Sequence, residues 1–211
     1  MKLLIAIPSR ETMRVEFVQS LMGLMRRLDQ DGIAYEVNIQ TGTLVYCVRD
    51  GLARHAVNNR FDQVLWVDSD MVFSPGIYDD LATGGYDIAC GLFISRHSPF
   101  MSCLFSCLTP SERITDYPFE AFEVAGCGFG CVLMKTQVLA DVMHSNNGMC
   151  FLPEPKLGED LAFCRRAAGC GYRIFCEPTA RVGHVGSMTI WPEDAERLLG
   201  NIQGLEGKKL N

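Results

Sequence analysis

The sequence predicts an α/β fold in which a mostly parallel sheet is flanked by helices. Short, continuous apolar segments alternate with amphipathic segments of helical periodicity through the first 90 residues. Continuous apolar strands bounded by such helices are typical of a parallel sheet that is covered on both faces. With 211 residues, 48% of them hydrophobic and 21% charged, the chain is long enough for one domain with a substantial core.

The first half of the chain is predicted to alternate between strands and helices. Strands are predicted over residues 2–7, 34–39, 63–67 and 86–90. Ser9 is suited to cap the first helix, with Glu11 in its first turn. The apolar face of this helix is formed by residues at helical spacing, namely Phe17, Leu21, Leu24 and Leu28. A second helix is predicted over residues 48–59, and Ser74-Pro75 starts a short third one.

The second half has a less regular pattern. Residues 91–122 mix polar and aromatic types, which indicates loops, short antiparallel strands and a lid. Thr136 is suited to cap a helix that runs to His144. The other predicted elements are strands over 122–125, 131–134 and 172–175, a helix over 161–168, a loop over 178–186, a helix over 192–201 and a tail over 204–211.

Charge and cysteine content restrict the class of protein. The net charge of −6 disfavours a nuclease or a protein that mainly binds nucleic acid backbones, although it leaves room for a nucleic acid acceptor and a local basic pocket. The ten cysteines include no Cys-x-x-Cys pair. The apolar run over residues 3–7 is too short for a signal peptide core or a membrane span. We therefore expect a reduced, cytoplasmic protein without disulfides or an integral membrane segment.

Asp68 and Asp70 form the most informative motif of the chain. They directly follow the apolar segment 63–67 and are separated by Ser69. Side chains at i and i+2 of an extended segment point the same way, so both carboxylates lie on one side of the strand end. This arrangement suits a hard divalent cation, whereas Asp-Ser-Asp after a strand is also good turn chemistry. Because adjacent carboxylates repel each other, we expect a positive group beside them.

An acidic pair and a histidine are further candidates. Glu159 and Asp160 open a helix, where unpaired N–H groups stabilise carboxylates, so the pair is either a cap or a catalytic pair at the sheet edge. In the second case Asp160 is a general base, or Glu159 and Asp160 orient the acceptor. His184 lies between Gly183 and Gly186 on a predicted loop, and imidazole is a common metal ligand.

Three arginines and a glycine run leave alternatives open. Arg10, Arg49 and Arg54 are placed at or near the same edge, where each either contacts phosphate or forms a surface ion pair. For Arg49, the expected partner is Asp50 or a phosphate. The glycine run 126–130 precedes a strand rather than a helix, so it is not a dinucleotide fingerprint. It is either a bulged strand or a surface that a sugar approaches closely.

Taken together, these motifs resemble a GT-A glycosyltransferase of the family 2 type. They occur in the order of that family and extend from residue 2 to residue 187. The matching segments are residues 6–10, 49–54, 65–70 with the Asp-x-Asp motif, 126–134 as a glycine-led acceptor-side strand, 158–160 with the acidic pair, and His184. The resemblance implies a GT-A, Rossmann-like sheet with a small antiparallel sheet on the acceptor side.

The resemblance also implies a set of ligands. The donor would be a UDP- or GDP-linked sugar, the cofactor Mn²⁺ or Mg²⁺, and the acceptor a hydroxyl-bearing molecule of unspecified class. Residues 1–90 would form the nucleotide-binding half, 91–190 the acceptor and catalytic half, and 191–211 a terminal helix and tail. The absence of a Gln-x-x-Arg-Trp motif makes a processive polymerase unexpected, and acceptor choice falls on residues 93–117 and the tail.

Roles for individual residues follow from the same resemblance. Asp160 would deprotonate the acceptor hydroxyl and give inversion, although histidine as a third metal ligand also occurs in retaining relatives. The remaining roles would be base and ribose contacts for Pro8, Ser9 and Arg10, ribose or metal contact for Asp68, metal binding for Asp70 and His184, and donor contacts for Arg49 and Arg54.

Two other functions are compatible with such a sheet. A sugar nucleotidyltransferase would need a glycine-rich basic loop after the first strand, where this chain has Ile7-Pro8-Ser9-Arg10-Glu11. A non-catalytic nucleotide-sugar-binding module would not need every acidic group and the histidine to be present. The metal-dependent glycosyltransferase is therefore the main expectation.

Overall fold

A computed structural model describes residues 1–96 and 100–186 of the chain. The predicted helix over 192–201 and the tail over 204–211 lie outside the described residues. The central element is a seven-stranded sheet with the strand order β2-β1-β3-β10-β5-β11-β8. Its strands are β1 (Lys2–Ser9), β2 (Ala34–Thr41), β3 (Gln63–Val67), β5 (Ile88–Leu92), β8 (Phe122–Val124), β10 (Cys131–Lys135) and β11 (Ile174–Arg181).

The central sheet is mostly parallel, as the sequence predicts. β1, β2 and β3 are parallel to one another, and β5 is parallel to β11. Only β10 and β8 run antiparallel to their neighbours in this sheet. Since β10 pairs with both β3 and β5, a strand of the second half of the chain lies between β3, which belongs to the first half, and β5. The division predicted at residue 90 falls inside β5.

Helices cover both faces of this sheet because each face is lined by apolar side chains. Residues of α2, α4 and α5 join a core cluster on one face, which includes Trp66 and Phe163. Residues of α1 and α3 join the cluster on the other face, with Phe17 and Ile77 among them. The helices are α1 (Val15–Gln30), α2 (Val45–Asn58), α3 (Ile77–Ala82), α4 (Thr136–Ser145) and α5 (Glu159–Gly169).

Two small antiparallel sheets complete the described structure. One has the strand order β7-β6-β9 and corresponds to the predicted acceptor-side sheet. The other pairs β12 with β4. The strands of these sheets are β4 (Met71–Val72), β6 (Leu104–Leu108), β7 (Ser111–Arg113), β9 (Gly126–Cys127) and β12 (Gly183–His184). The α/β fold class and its small antiparallel sheets are thereby confirmed.

The predicted helix caps are wrong. Ser9 is the last residue of β1, and α1 begins six positions later at Val15 with Arg14 as its N-cap. Thr136 is a buried residue inside α4, whose N-cap is Lys135. Ser and Thr are preferred as N-caps only at the position where a helix begins. At Ser9 the backbone is still extended, because pairing with β2 continues β1 through this residue.

Two predicted segments are divided differently in the structure. The predicted loop over 178–186 contains the end of β11 and the whole of β12. The predicted acceptor-side strand over 126–134 is split, because β9 joins the small sheet while β10 lies in the middle of the central sheet. The boundaries of both segments are set by pairing with strands that are distant in the sequence. No local sequence pattern encodes this pairing.

The described residues also bear on the cysteine and membrane expectations. All ten cysteines are free thiols in the structure, and six of them are buried. Within residues 1–96 and 100–186, every helix is too short or too polar to cross a bilayer.

Candidate active site

The candidate site lies at the carboxyl edge of the parallel strands. β1 is paired with both β2 and β3, and Ala6 faces Trp66 in this register. Two residues further along these two strands come Pro8 and Asp68, so both motifs reach the same edge. The Asp68 backbone N–H donates to the Gly130 carbonyl oxygen over 3.1 Å, which ties the Asp-x-Asp turn to the glycine run.

Arg49 of α2 joins two of the predicted acidic residues. Its Nη2 donates to both carboxylate oxygens of Asp68, at 2.9 and 3.2 Å, and its Nη1 donates to Oδ1 of Asp160. The Arg49 side chain is only 3% exposed, whereas both carboxylates are 28% exposed. Asp68 and Asp160 therefore share one buried cation and keep an open side toward the cleft.

Asp160 is held from a second direction as well. It lies in the first turn of α5, and its Oδ2 accepts a hydrogen bond of 3.2 Å from the Phe129 backbone N–H. The Phe129 ring in turn lies beneath Arg49, with 5.2 Å between the guanidinium carbon and the ring centroid. The glycine run thus supplies both a main-chain donor and an aromatic face to this cluster.

Burial and the charges of the cluster shift the pKa values of Asp68 and Arg49. Burial raises the pKa of Asp68 to about 6, and the charges of Asp160 and Asp70 add to the rise against the opposing effect of Arg49. Burial lowers the pKa of Arg49, but the charges of Asp160, Asp68 and Glu159 outweigh burial and raise it overall. Arg49 is therefore a permanent cation, which bonds to the carboxylates of Asp68 and Asp160 and also feels the charge of Glu159.

Asp70 belongs to a second group on the other side of the turn. Its Oδ2 lies 3.5 Å from Nε2 of His184 and also accepts a hydrogen bond from Arg96. Burial raises the pKa of Asp70, but the hydrogen bond and charge of His184, with the charge of Arg96, lower it overall. Asp70 is thereby kept ionised in a site that is partly shielded from water.

His184 reaches Asp70 because two short strands pair. His184 is opposite Met71 in the β4–β12 ladder, and the Val185 N–H donates to the Asp70 carbonyl oxygen over 2.8 Å. His184 Nδ1 is 3.2 Å from the Ile94 carbonyl oxygen, which is only an acceptor, so Nδ1 carries a proton in this hydrogen bond. Nε2 is then the nitrogen that faces Asp70.

This geometry is compatible with a divalent cation between Asp70 and His184. A neutral imidazole hydrogen-bonded through Nδ1 to a carbonyl presents a lone pair at Nε2, and a lone pair and a carboxylate oxygen repel unless a proton or a cation lies between them. Asp68, the third predicted ligand, accepts hydrogen bonds from Arg49 at both of its oxygens. Among the described residues, no three His, Cys, Asp or Glu groups are arranged to hold a metal ion.

A cavity of about 620 Å³ opens at the ends of β1 and β2. Arg10 lines it, while Pro8 and Ser9 are the last residues of the neighbouring strand. The cavity wall is formed by residues that follow the two strands, namely Arg10, Glu11, Thr12, Thr41, Gly42 and Thr43. Hydroxyl groups and charged side chains therefore line part of the cavity, beside apolar surface of similar extent.

Not all predicted residues join this site. Arg54 donates to the Gly148 carbonyl oxygen over 3.2 Å, away from the carboxylates. The expected pairing of Arg49 with Asp50 is wrong, because Asp50 accepts from the backbone N–H groups of Cys150 and Phe151. Glu159 is close enough to Arg49 for its charge to raise the arginine pKa.

Sequence reasoning missed two participants. Arg96 follows the carboxyl end of β5, so the rule that ligands bind at that edge of the sheet is a signal that could have found it. The Phe129 N–H is a backbone group, and no residue type in the sequence announces it.

Comparisons with known proteins concern the fold. No family model matches the chain, and no curated protein matches it in sequence. Among solved structures, it is similar to A197 from STIV, with 18% identity and a TM-score of 0.54, over 90% of this chain and 97% of that one.

Two glycosyltransferase structures are similar as well. The catalytic domain of Drosophila β1,4-galactosyltransferase 7, in complex with xylobiose, has 13% identity and a TM-score of 0.55, over 92% of this chain and 78% of that one. A glycosyltransferase involved in glycosylation of the major capsid of PBCV-1 has 10% identity and a TM-score of 0.50, over 96% and 98%. At these identities the similarity shows that the fold is GT-A-like.

Proposed function

We propose that the protein is a metal-dependent glycosyltransferase that moves a sugar from a UDP- or GDP-linked donor to an acceptor hydroxyl, with inversion. The observation that carries the proposal is the contact between Asp70 and His184, next to a second carboxylate cluster at the edge of a GT-A-like sheet. Ligands of such sheets bind outside the carboxyl ends of the strands.

In this proposal Asp70 and His184 would hold Mn²⁺ or Mg²⁺, with Asp68 beside them. When bound, such an ion neutralises the charge that develops on the departing diphosphate. The residues after β1 and β2, with Arg10 among them, would take the base and ribose in the polar cavity. All ten cysteines being free supports the proposal that the protein works in a reducing compartment such as the cytoplasm.

Asp160 would be the general base. Its carboxylate is partly exposed, and each of its oxygens keeps acceptor capacity beyond the bonds from Arg49 and Phe129. It would accept the proton of the acceptor hydroxyl as that oxygen attacks the anomeric carbon and the bond to the diphosphate breaks. Attack from the face opposite the leaving group gives inversion.

The test is a screen of UDP- and GDP-sugars with Mn²⁺, read by thermal shift and by release of nucleoside diphosphate. A true donor raises the melting temperature because it binds the folded state only. Asp70→Ala should remove the metal-dependent part of both signals, whereas Asp29→Ala on the exposed side of α1 should retain them. Unchanged metal dependence in Asp70→Ala, or no response to any donor in the wild type, contradicts the proposal.

A further inference from the structure

Arg49 is unusual among the arginines of the described residues because its side chain is buried between two halves of the site. Its partners are distant in the sequence: Asp68 is 19 residues and Asp160 is 111 residues from Arg49. Asp68 follows β3, which belongs to the predicted nucleotide-binding half, and Asp160 belongs to the predicted acceptor half. One guanidinium therefore links the two halves directly.

The guanidinium of Arg49 is buried among its partners, and its Nε is buried without a hydrogen-bond partner. Nη2 donates to both oxygens of Asp68, Nη1 donates to Asp160, and the Phe129 ring covers one face. With 3% of the side chain exposed, a diphosphate would have to displace a carboxylate to reach it. This burial argues against the donor contact that the family resemblance implies for Arg49.

The same contacts fix the orientation of Asp160. Arg49 holds Oδ1 and the Phe129 N–H holds Oδ2, so rotation of the carboxylate would break one bond or the other. Without the guanidinium, Asp68 and Asp160 would face each other as like charges and move apart. A planar fork is suited to this task, because it donates in two directions at a fixed angle.

We propose that Arg49 is a positioning residue, which holds the carboxylates of Asp68 and Asp160 in one fixed arrangement and does not bind the donor. The proposal rests on the proposed function, in which Asp160 is the base. The structural component of the proposal, that Arg49 orients the Asp160 carboxylate, can be measured without any catalysis.

The test compares Arg49→Lys with the wild type. Lysine keeps the charge but lacks the planar fork that spans two carboxylates. We expect kcat to fall by about 100-fold, the loss typical of a misplaced reacting group, with the donor Kd changed by less than about threefold. Donor Kd is measured by calorimetry with Mn²⁺ present, and thermal melting verifies that the variant is folded.

Arg166→Lys is the matched control. Arg166 is another largely buried arginine, and it bonds to Glu154 and to the Cys150 carbonyl oxygen rather than to the site. It lies on the same helix as Asp160, so it reports general damage to α5. We expect this variant to keep kcat close to the wild-type value even where its melting temperature falls.

The second readout is the NMR signal of the Phe129 amide. In Arg49→Lys, Asp160 is expected to leave this N–H, so its resonance shifts and its hydrogen exchange accelerates, whereas Arg166→Lys leaves it in place. Should Arg49→Lys fail to fold, the Phe129 amide is measured in Arg49→Gln combined with Asp68→Asn, which removes the cation together with one of the two carboxylate charges that it compensates.

The outcomes distinguish the positioning role of Arg49 from the proposed glycosyltransferase function. An unchanged Phe129 amide in the Arg49 variant, or a donor Kd weakened in proportion to the loss of kcat/KM, overturns the positioning role. A displaced Phe129 amide in a protein that releases no nucleoside diphosphate from any donor supports positioning while the proposed function fails. A displaced amide together with the selective loss of kcat supports both.

Discussion

Asp70 has two positively charged or chargeable neighbours, Arg96 and His184, which approach the same carboxylate oxygen. Arg96 follows β5, and its side chain is 39% exposed. A guanidinium on this oxygen competes with any cation that would bind between Asp70 and His184. In the proposed metal site, the affinity for the cation would therefore depend on a residue that is not itself a ligand.

Removing this competitor should strengthen metal binding. We expect Arg96→Gln to bind Mn²⁺ roughly fivefold more tightly than the wild type, because a partly exposed ion pair contributes about 1 kcal/mol. The measurement is a Mn²⁺ titration followed by electron paramagnetic resonance, without donor. Arg26→Gln on the exposed side of α1 is the control and should leave the affinity unchanged. Weaker Mn²⁺ binding by Arg96→Gln would show that the guanidinium does not compete.

At the scale of single elements, glycines let neighbouring segments approach closely. A Cβ at Gly130 would collide with Met71 and would lie 2.9 Å from Cζ of Phe93. A Cβ at Gly128 would lie 3.0 Å from the same Phe93 atom and 3.2 Å from Cβ of Cys103. The groups that approach these glycines closely in the structure are side chains of the protein itself, and the approach of a sugar to the run 126–130 stays a prediction.

Gly91 of β5 offers a direct test of such packing. A Cβ at this position would lie 2.8 Å from the Ala180 carbonyl oxygen and 2.9 Å from Cγ2 of Val182. Since a backbone atom of β11 cannot swing aside, we expect Gly91→Ala to lower the free energy of unfolding by about 1–3 kcal/mol. The measurement is urea denaturation followed by circular dichroism.

Gly169 supplies the comparison for this variant. It is the last residue of α5, and a Cβ there meets no atom within 4 Å. Gly169→Ala should leave stability unchanged or raise it by up to about 1 kcal/mol, because alanine has the better helix propensity. Equal unfolding free energies for Gly91→Ala and the wild type would mean that β5 and β11 adjust freely to the added methyl group.

At the scale of the whole molecule, the central sheet is shared by both halves of the chain. β10 is hydrogen-bonded to β3 on one side and to β5 on the other, so neither half has a complete sheet alone. Trp66 of β3 packs against Phe129 and Phe151 of the second half, at centroid distances of 6.1 and 5.3 Å. Loss of either half would expose this aromatic contact to water.

We therefore expect one cooperative unfolding transition. Urea curves followed by far-ultraviolet circular dichroism and by the fluorescence of Trp66, with Trp191 replaced by Phe, should coincide. The two probes report different quantities, since one follows the helices and the other follows the shared aromatic core. Two separated midpoints would instead indicate that the predicted halves unfold independently.

The sequence by itself determined the fold class, the carboxyl-edge position of Asp68 and Asp70, and the helix start that carries Asp160. These features follow from local rules, because the burial of one face fixes the periodicity of a strand or helix and adjacent residues fix its ends. Most strand positions and the helical face of Phe17 and Leu24 were predictable for this reason.

Only the tertiary structure decided which charged groups meet. The partners of Arg49, the contact of Arg96 with Asp70 and the placement of β10 between β3 and β5 join residues that are distant in the chain. A local sequence pattern does not distinguish one arginine from another. The partner of each arginine depends on which strand ends the topology brings together. The physical reason is that side-chain pairing is set by long-range packing, which no short window of sequence contains.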